Sequence, residues 1–180
     1  VTTRERILHA VLRVIGSEGV AGVTNRRVAR EAEVSLGSIT YHFESQHELL
    51  REAMVLFVAE ETTRLAALAD DHPGSSLESA AALVEQVAVD TRFGHEQIAP
   101  LELYIQAGRD PALRDAAAEC FAAYDRIAVA VLDRLGVPSP ERLAGPVVAL
   151  LTGMQLRRLA TGTTGSTGIA EAVTMLVREG

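Results

Sequence analysis

Residues 24–43 read TNRRVAREAEVSLGSITYHF and gather the hydroxyls of Thr24, Ser35, Ser38, Thr40 and Tyr41, the imidazole of His42 and the guanidinium groups of Arg26, Arg27 and Arg30 into one short stretch. Such groups recognise rather than cut, because hydroxyls and guanidiniums donate to phosphate oxygens and base edges. Bond-making chemistry is hard to assemble from what remains. Cys120 with His95 would be a thiol and a base, but Cys120 lies mid-helix in an alanine-rich segment with no orienting group or oxyanion donor in view. His42 and His47 are five apart and His9, His72 and His95 stand alone, so no pair has the i, i+4 spacing of a helical metal site. The acid pairs Glu60-Glu61 and Asp70-Asp71 read as solvated faces. No enzyme, metal or cofactor is expected.

Two short helices must carry the recognition groups. Thr24 is a good N-cap for a segment running to Ala32, Ser35 caps a second from Leu36 to His42, and Glu33-Val34 leaves room only for a tight turn, which is the layout of a helix-turn-helix. Ile39 and Phe43, four apart, anchor the second helix on Val28, Ala29 and Val34. Its other face then shows Leu36, Gly37, Ser38, Thr40 and Tyr41, small enough to enter a major groove about 12 Å wide. The same geometry also occurs in many helical proteins whose polar residues are merely solvated.

Around this pair the apolar residues recur every three or four positions between breakers. Helices are expected at about 3–18, 24–32, 36–42, 46–70, 77–93, 96–107, 111–135, 140–161 and 168–179, an all-α chain of about nine helices. Thr2 with Glu5, and Ser45 with Glu48, have capping-box spacing. No repeat of fixed period relates the segments, and residues 162–168 read as a hairpin loop without the lysine of a phosphate loop.

The 180 residues carry 24 acids against 17 bases, a formal charge of -7, and every base is arginine. Residues 1–47 hold six Arg against five Glu, so the chain is acidic overall and nearly neutral at the end that carries the recognition groups. Local potential, not total charge, decides whether a polyanion can approach. A single cysteine rules out an internal disulfide and suits a reducing cytoplasm. The best N-terminal apolar run, from Ile7 to Ile15, is cut by His9 and Arg13, so neither a membrane span nor a targeting segment is expected. The first residue is Val1, which leaves room for a missing N-terminal arm.

The stretch from Ile7 through Met54 resembles the DNA-binding domain of the tetracycline-repressor (TetR) family of bacterial transcription regulators. Its landmarks stand here as Gly19, Thr24, Val28-Ala29, Ala32-Glu33-Val34-Ser35, Gly37-Ser38-Ile39, Tyr41-His42-Phe43 and Ser45-Gln46-His47-Glu48-Leu49-Leu50. The resemblance covers about a quarter of the chain and implies a helix-turn-helix domain over 1–46 and an effector-binding and dimerisation domain over 47–180. It implies a double-stranded DNA operator, with Thr24, Tyr41 and His42 against the sugar-phosphate backbone, Arg26 and Arg27 adding charge, and Ser35, Leu36, Gly37, Ser38 and Thr40 near base edges. Two positions depart from the pattern. Glu33 replaces the usual turn glycine, placing an acid where φ should be positive, and Gln46 replaces a lysine, which removes one charged phosphate contact.

For the rest of the chain, polar groups among apolar helices suggest a cavity for a small, mostly apolar effector. Val87, Leu101, Ile105, Phe121, Leu151 and Met154 could line it, with Arg92, His95, Tyr104, Tyr124 and Gln155 offering polar atoms. Core packing explains the apolar members equally well. The last two segments are apolar on more than one side, through Val147, Leu150, Leu151, Met154 and Leu159 and then Ile169, Val173, Leu176 and Val177, and so suggest a homodimer. Glu33, Gln46 and the near-neutral N-terminal part favour one rival, a dimeric partner protein that keeps the fold without binding DNA.

Overall fold

The computed structural model describes residues 1–71, 95–162, 168 and 171–175. Among these residues the chain is all-helical. The helices are α1 (Thr3–Glu18), α2 (Asn25–Ala32), α3 (Leu36–His42), α4 (Gln46–Asp71), α5 (His95–Ala107), α6 (Pro111–Arg134) and α7 (Pro140–Thr161), with a 3-10 turn at Val20–Gly22 that periodicity did not suggest. Residues 171–175 are helical as well. The helix expected at 77–93 lies outside the described residues, as does half of the one expected at 168–179.

The first four helices start where a side chain takes up orphan amides. Thr2 and Glu5 form the expected capping box on α1. Thr24 Oγ1 accepts from the Arg27 amide, and Ser35 Oγ from the Ser38 amide. Ser45 Oγ accepts from the Glu48 amide as expected, but the Glu48 carboxylate reaches past Ser45 to the Glu44 N–H at 2.7 Å. The 3-10 turn depends on Gly22, where a Cβ would sit 2.6 Å from the Glu18 Cβ.

The chain packs as two compact units. The first comprises residues 1–59 and 92–120, the second residues 60–91 and 121–180. In the first, α1 buries Ile7, Leu8, Ala10, Val11, Leu12, Val14, Ile15 and Gly16 and packs on both α2 and α5. Val28, Ala29 and Ala32 of α2, Ile39, Phe43, and Leu49, Leu50, Ala53, Met54 and Val58 of α4 complete its core with Ala99, Leu103 and Ala107 of α5. In the second, Leu132, Val137 and Leu143 form a small cluster at the α6–α7 connection, and Arg134 donates to the Ala69 carbonyl in the last turn of α4.

The α2–α3 turn is a Schellman arrangement. Glu33 lies at φ 54, ψ 47, and the Val34 amide donates back to the Ala29 carbonyl at 3.0 Å. A β-carbon in this left-handed region costs roughly 1 kcal/mol. Arg6 of α1 holds the turn in place by donating to the Ala32 carbonyl at 2.7 Å and the Glu33 carbonyl at 3.3 Å. A four-residue ionic network joins α1 to α2: Arg13 and Arg27 both bind Glu31, and Arg27 also binds Glu18 at 2.7 Å.

Two stability measurements follow from these contacts. Glu33→Gly removes the left-handed strain and should stabilise the first unit by about 1 kcal/mol, an upward shift of a few degrees in thermal unfolding; an unchanged or lower midpoint would show the strain to be absent. The second concerns acid. Hydrogen bonds from Arg13, then Arg27, hold the Glu31 carboxyl below its ordinary 4.5, and that of Asp110 is held below 3.8, chiefly by His47. A carboxylate with a lowered folded value stabilises fully above its ordinary value and less as pH falls through the lowered one. The unfolding midpoint should therefore hold from neutrality to about pH 5 and drop below it, and Glu31→Gln should flatten that drop.

Candidate nucleic-acid interface

The helix-turn-helix presents its second helix edge outward. Ile39 and Phe43 are buried, while Leu36 is 47% exposed and Tyr41 85% exposed. Gly37 and Thr40 are exposed, and Ser38 and His42 half-buried. The two sides differ because Ile39 and Phe43, one turn apart, fix the rotation of the helix, and among the described residues no apolar partner covers the other side. Tyr41 stands edge-on to His42 with ring centroids 5.1 Å apart. Phe43 carries the Arg4 guanidinium 5.4 Å from its ring centroid, and Arg4 in turn binds Glu52 of α4.

Several donors expected at the interface have intramolecular partners. Arg27 is held by Glu31 of its own helix and by Glu18 of α1, which keep its guanidinium charged and balance that charge. Gln46 Nε2 donates to the Val23 carbonyl at 2.8 Å and ties the first turn of α4 to the residue before the Thr24 cap. Arg26 and Arg30 are exposed and carry no ion pair among the described residues. Thr24 keeps its hydroxyl hydrogen available while its oxygen caps α2. The structure thus brings Thr24, Arg26, Ser35, Leu36, Gly37, Thr40 and Tyr41 to the surface of one small motif.

Three residues missed in the sequence hold that motif. Glu102 of α5 accepts from the Val20 amide at 2.9 Å, at the corner where α1 turns towards α2. Asp110 caps α6, accepting from the Ala112 amide at 3.0 Å while its other oxygen meets His47 Nδ1 at 2.6 Å. Arg6 is the third. Asp110 carried a readable signal, an Asx residue before a proline at the first helical position; Glu102 and Arg6 carried none, since their partners are backbone groups far away in sequence.

The residues expected to line an effector cavity divide between the units. Val87, Arg92 and the side chain of His95 lie outside the described residues. Leu101 and Tyr104 are half-buried on α5 in the first unit; Phe121, Tyr124, Leu151, Met154 and Gln155 are half-buried in the second. Phe121 and Tyr124 meet edge to face at 6.3 Å. Ile105 is corrected: it is 58% exposed, because α5 buries the Ala99, Leu103 and Ala107 stripe and position 105 falls on the opposite side. Burial pushes the Cys120 thiol up to about 11, so it is not a thiolate at neutral pH and the thiol-nucleophile idea loses its reagent.

The expected dimer residues also divide. Val147 and Val173 are buried within the chain. Burial on α7 follows Leu143, Ala144, Val147, Val148 and Arg158, whereas Ala149, Gly153, Leu156 and Ala160 are exposed, Leu156 by 51%. Leu150, Leu151, Met154 and Leu159 lie half-buried between the two sides. Ile169, Leu176 and Val177 lie outside the described residues. No described helix is long and apolar enough to cross a membrane.

Comparison with known proteins agrees with this geometry. Residues 7–53 match the model of the bacterial regulatory proteins of the tetR family, and residues 75–179 match that of the tetracyclin repressor-like C-terminal domain. The HTH-type transcriptional regulator PksA of Bacillus subtilis is 40% identical over 62 residues, a match covering 34% of this chain and 30% of PksA. A second regulator, encoded in the dhlA 5' region of Xanthobacter autotrophicus, is 44% identical over 46 residues; the match covers 26% of this chain and 23% of that protein. The chain thus matches less than a third of either curated relative. Solved structures match over nearly their whole length. A protein described as a transcriptional regulator, SCO7518 from Streptomyces coelicolor, is 34% identical with a TM-score of 0.72, covering 97% of this chain and 98% of its own. The multidrug binding protein EbrR complexed with ethidium is 30% identical with a TM-score of 0.77, covering 99% and 98%. With both halves matched, and the outward-facing helix where such a motif needs it, the chain belongs to the TetR family of bacterial transcription regulators.

Proposed function

We propose that this chain is a cytoplasmic repressor that binds a palindromic operator as a homodimer and is released by a small, mostly apolar effector. The observation that carries the reading is the two-sidedness of α3, with Ile39 and Phe43 in the core and Leu36, Thr40 and Tyr41 in solvent. In the dimer the two copies of α3 would sit about 34 to 36 Å apart and enter successive major grooves. Thr24, Arg26, Tyr41 and His42 then meet phosphates and set register, and Ser35, Leu36, Gly37, Ser38 and Thr40 face bases.

The division of labour falls near residue 46, with recognition before it and effector binding and dimerisation after it. Packing supports communication across that line, because Glu102 accepts from the Val20 amide across it and Asp110 meets His47 just beyond it. A ligand preferring a different placement of α5 and α6 would loosen these contacts, and it can weaken DNA binding only by its differential affinity, typically ~1 to 3 kcal/mol. The EbrR complexes with ethidium, proflavin and malachite green support a flat aromatic effector and make ethidium the first compound to try. No catalytic role is assigned. Partner contact is assigned to the exposed side of α7, where a Cβ added at Gly145 or Gly153 would meet nothing within 4 Å, which leaves room for a second helix to approach.

A rival is favoured by the exposed acid at Glu33 and the internal pairing of Arg27 and Gln46: a dimeric partner protein that does not bind DNA. A mobility shift with DNA flanking the gene separates the two, since the rival predicts no salt-sensitive complex with any fragment. Gly37→Ala sharpens the test. The added methyl would meet only Ser35 Oγ, at 3.8 Å, and alanine suits a helix better by about 1 kcal/mol, so folding should hold or improve. Operator affinity should fall on the order of tenfold, the loss of one good base contact, if this backbone approaches the groove. Leu156→Glu should give a folded monomer in sedimentation and abolish operator binding; a dimer of unchanged stability would move the interface elsewhere.

A further inference from the structure

Base recognition by α3 must work without the side chains that usually perform it. Bidentate reading of guanine takes Arg or Lys, adenine takes Asn or Gln, and cytosine takes an acid. Residues 34–43, VSLGSITYHF, contain none of these. The serine and threonine hydroxyls that remain are already engaged, since Ser35 Oγ lies 2.9 Å from Ser38 Oγ and also accepts from the Ser38 amide, and Thr40 Oγ1 donates to the Gly37 carbonyl at 3.1 Å. With Tyr41 and His42 given to phosphates in the reading above, what this surface offers freely to bases is apolar. Leu36 is half in solvent with no core role, and beside it Gly37 lacks a side chain that could hold the helix off the bases.

Only one base edge in the major groove is apolar, the 5-methyl group of thymine. We propose that Leu36 is a specificity-determining residue that reads thymine through this methyl group, so that the operator half-site is chosen by methyl burial rather than by bidentate hydrogen bonds. This rests on the DNA-binding reading above and goes further by naming what is read. Covering one methyl group is worth about a three- to fivefold change in affinity per half-site, and the preference should extend to 5-methylcytosine, which carries the same group at the same place.

The test uses the full chain and a duplex it selects from a randomised pool. Each thymine of the selected half-site is replaced in turn by deoxyuridine, which removes the methyl and leaves every hydrogen-bonding atom. One position should lose three- to fivefold in affinity per half-site, and Leu36→Ala should bind the thymine and uridine duplexes there equally. At that same position 5-methylcytosine should bind better than cytosine. Leu36→Ala should keep its unfolding midpoint, because the side chain is not in the core. Uridine tolerated at every position, or a uridine penalty that survives in Leu36→Ala, overturns the proposal while leaving DNA binding intact. Failure to select any duplex overturns the DNA-binding reading as well, and the two failures are distinct.

Discussion

The burial of α1 is the constraint on which the recognition motif depends. Its buried residues run from Ile7 to Gly16 and, at 100° per residue, span roughly two-thirds of the helix circumference. One neighbouring helix cannot cover so wide an arc. Helix α2 covers part and α5 another part, and because α3 packs on α2, the orientation of the reading surface is inherited from contacts made some sixty residues further along the chain. An isolated helix of 16 residues would be marginal in water; here tertiary packing supplies what local propensity does not.

Polar contacts then fix what the apolar ones leave free. Hydrophobic burial is non-directional and would tolerate sliding of α2 along α1. Arg6 on the end of α2, Arg13 and Arg27 on Glu31, and Gln46 on the Val23 carbonyl give that packing a register. Exposed ion pairs of this kind are individually weak. Their effect lies in direction: they hold the strained Glu33 turn against α1 and hold the first turn of α4 against the start of α2.

Much of this was legible beforehand, for identifiable reasons. Capping residues act within four positions, so Thr2, Thr24, Ser35 and Ser45 declared the starts of their helices, and the positive φ at Glu33 followed from its place in the turn. The 3.6-residue period predicted Ile7, Leu8, Val11, Val14 and Ile15 on one side of α1, but it could not reveal that Ala10, Leu12 and Gly16 are buried too, because that depends on a second covering helix. The same blindness left open on which side Ile105, Val147 and Val173 fall. Periodicity says that a helix has an apolar side, and for helices apolar on several sides it does not say which side the chain covers with its own residues. Glu102 and Arg6 escaped notice because a side chain bonded to a distant peptide group leaves no local pattern.

The discontinuity of the first unit has a consequence for how the protein is made. Its core closes only when residues from both 1–59 and 92–120 are present. On a ribosome adding about 5 to 20 residues per second, the second piece follows the first by on the order of 3 to 12 s. During that interval α1 lacks the cover of α5, and the Val20 amide lacks Glu102. The nascent head therefore reaches its finished form only after α5 has followed it out of the ribosome, and until then its first helix stands partly uncovered.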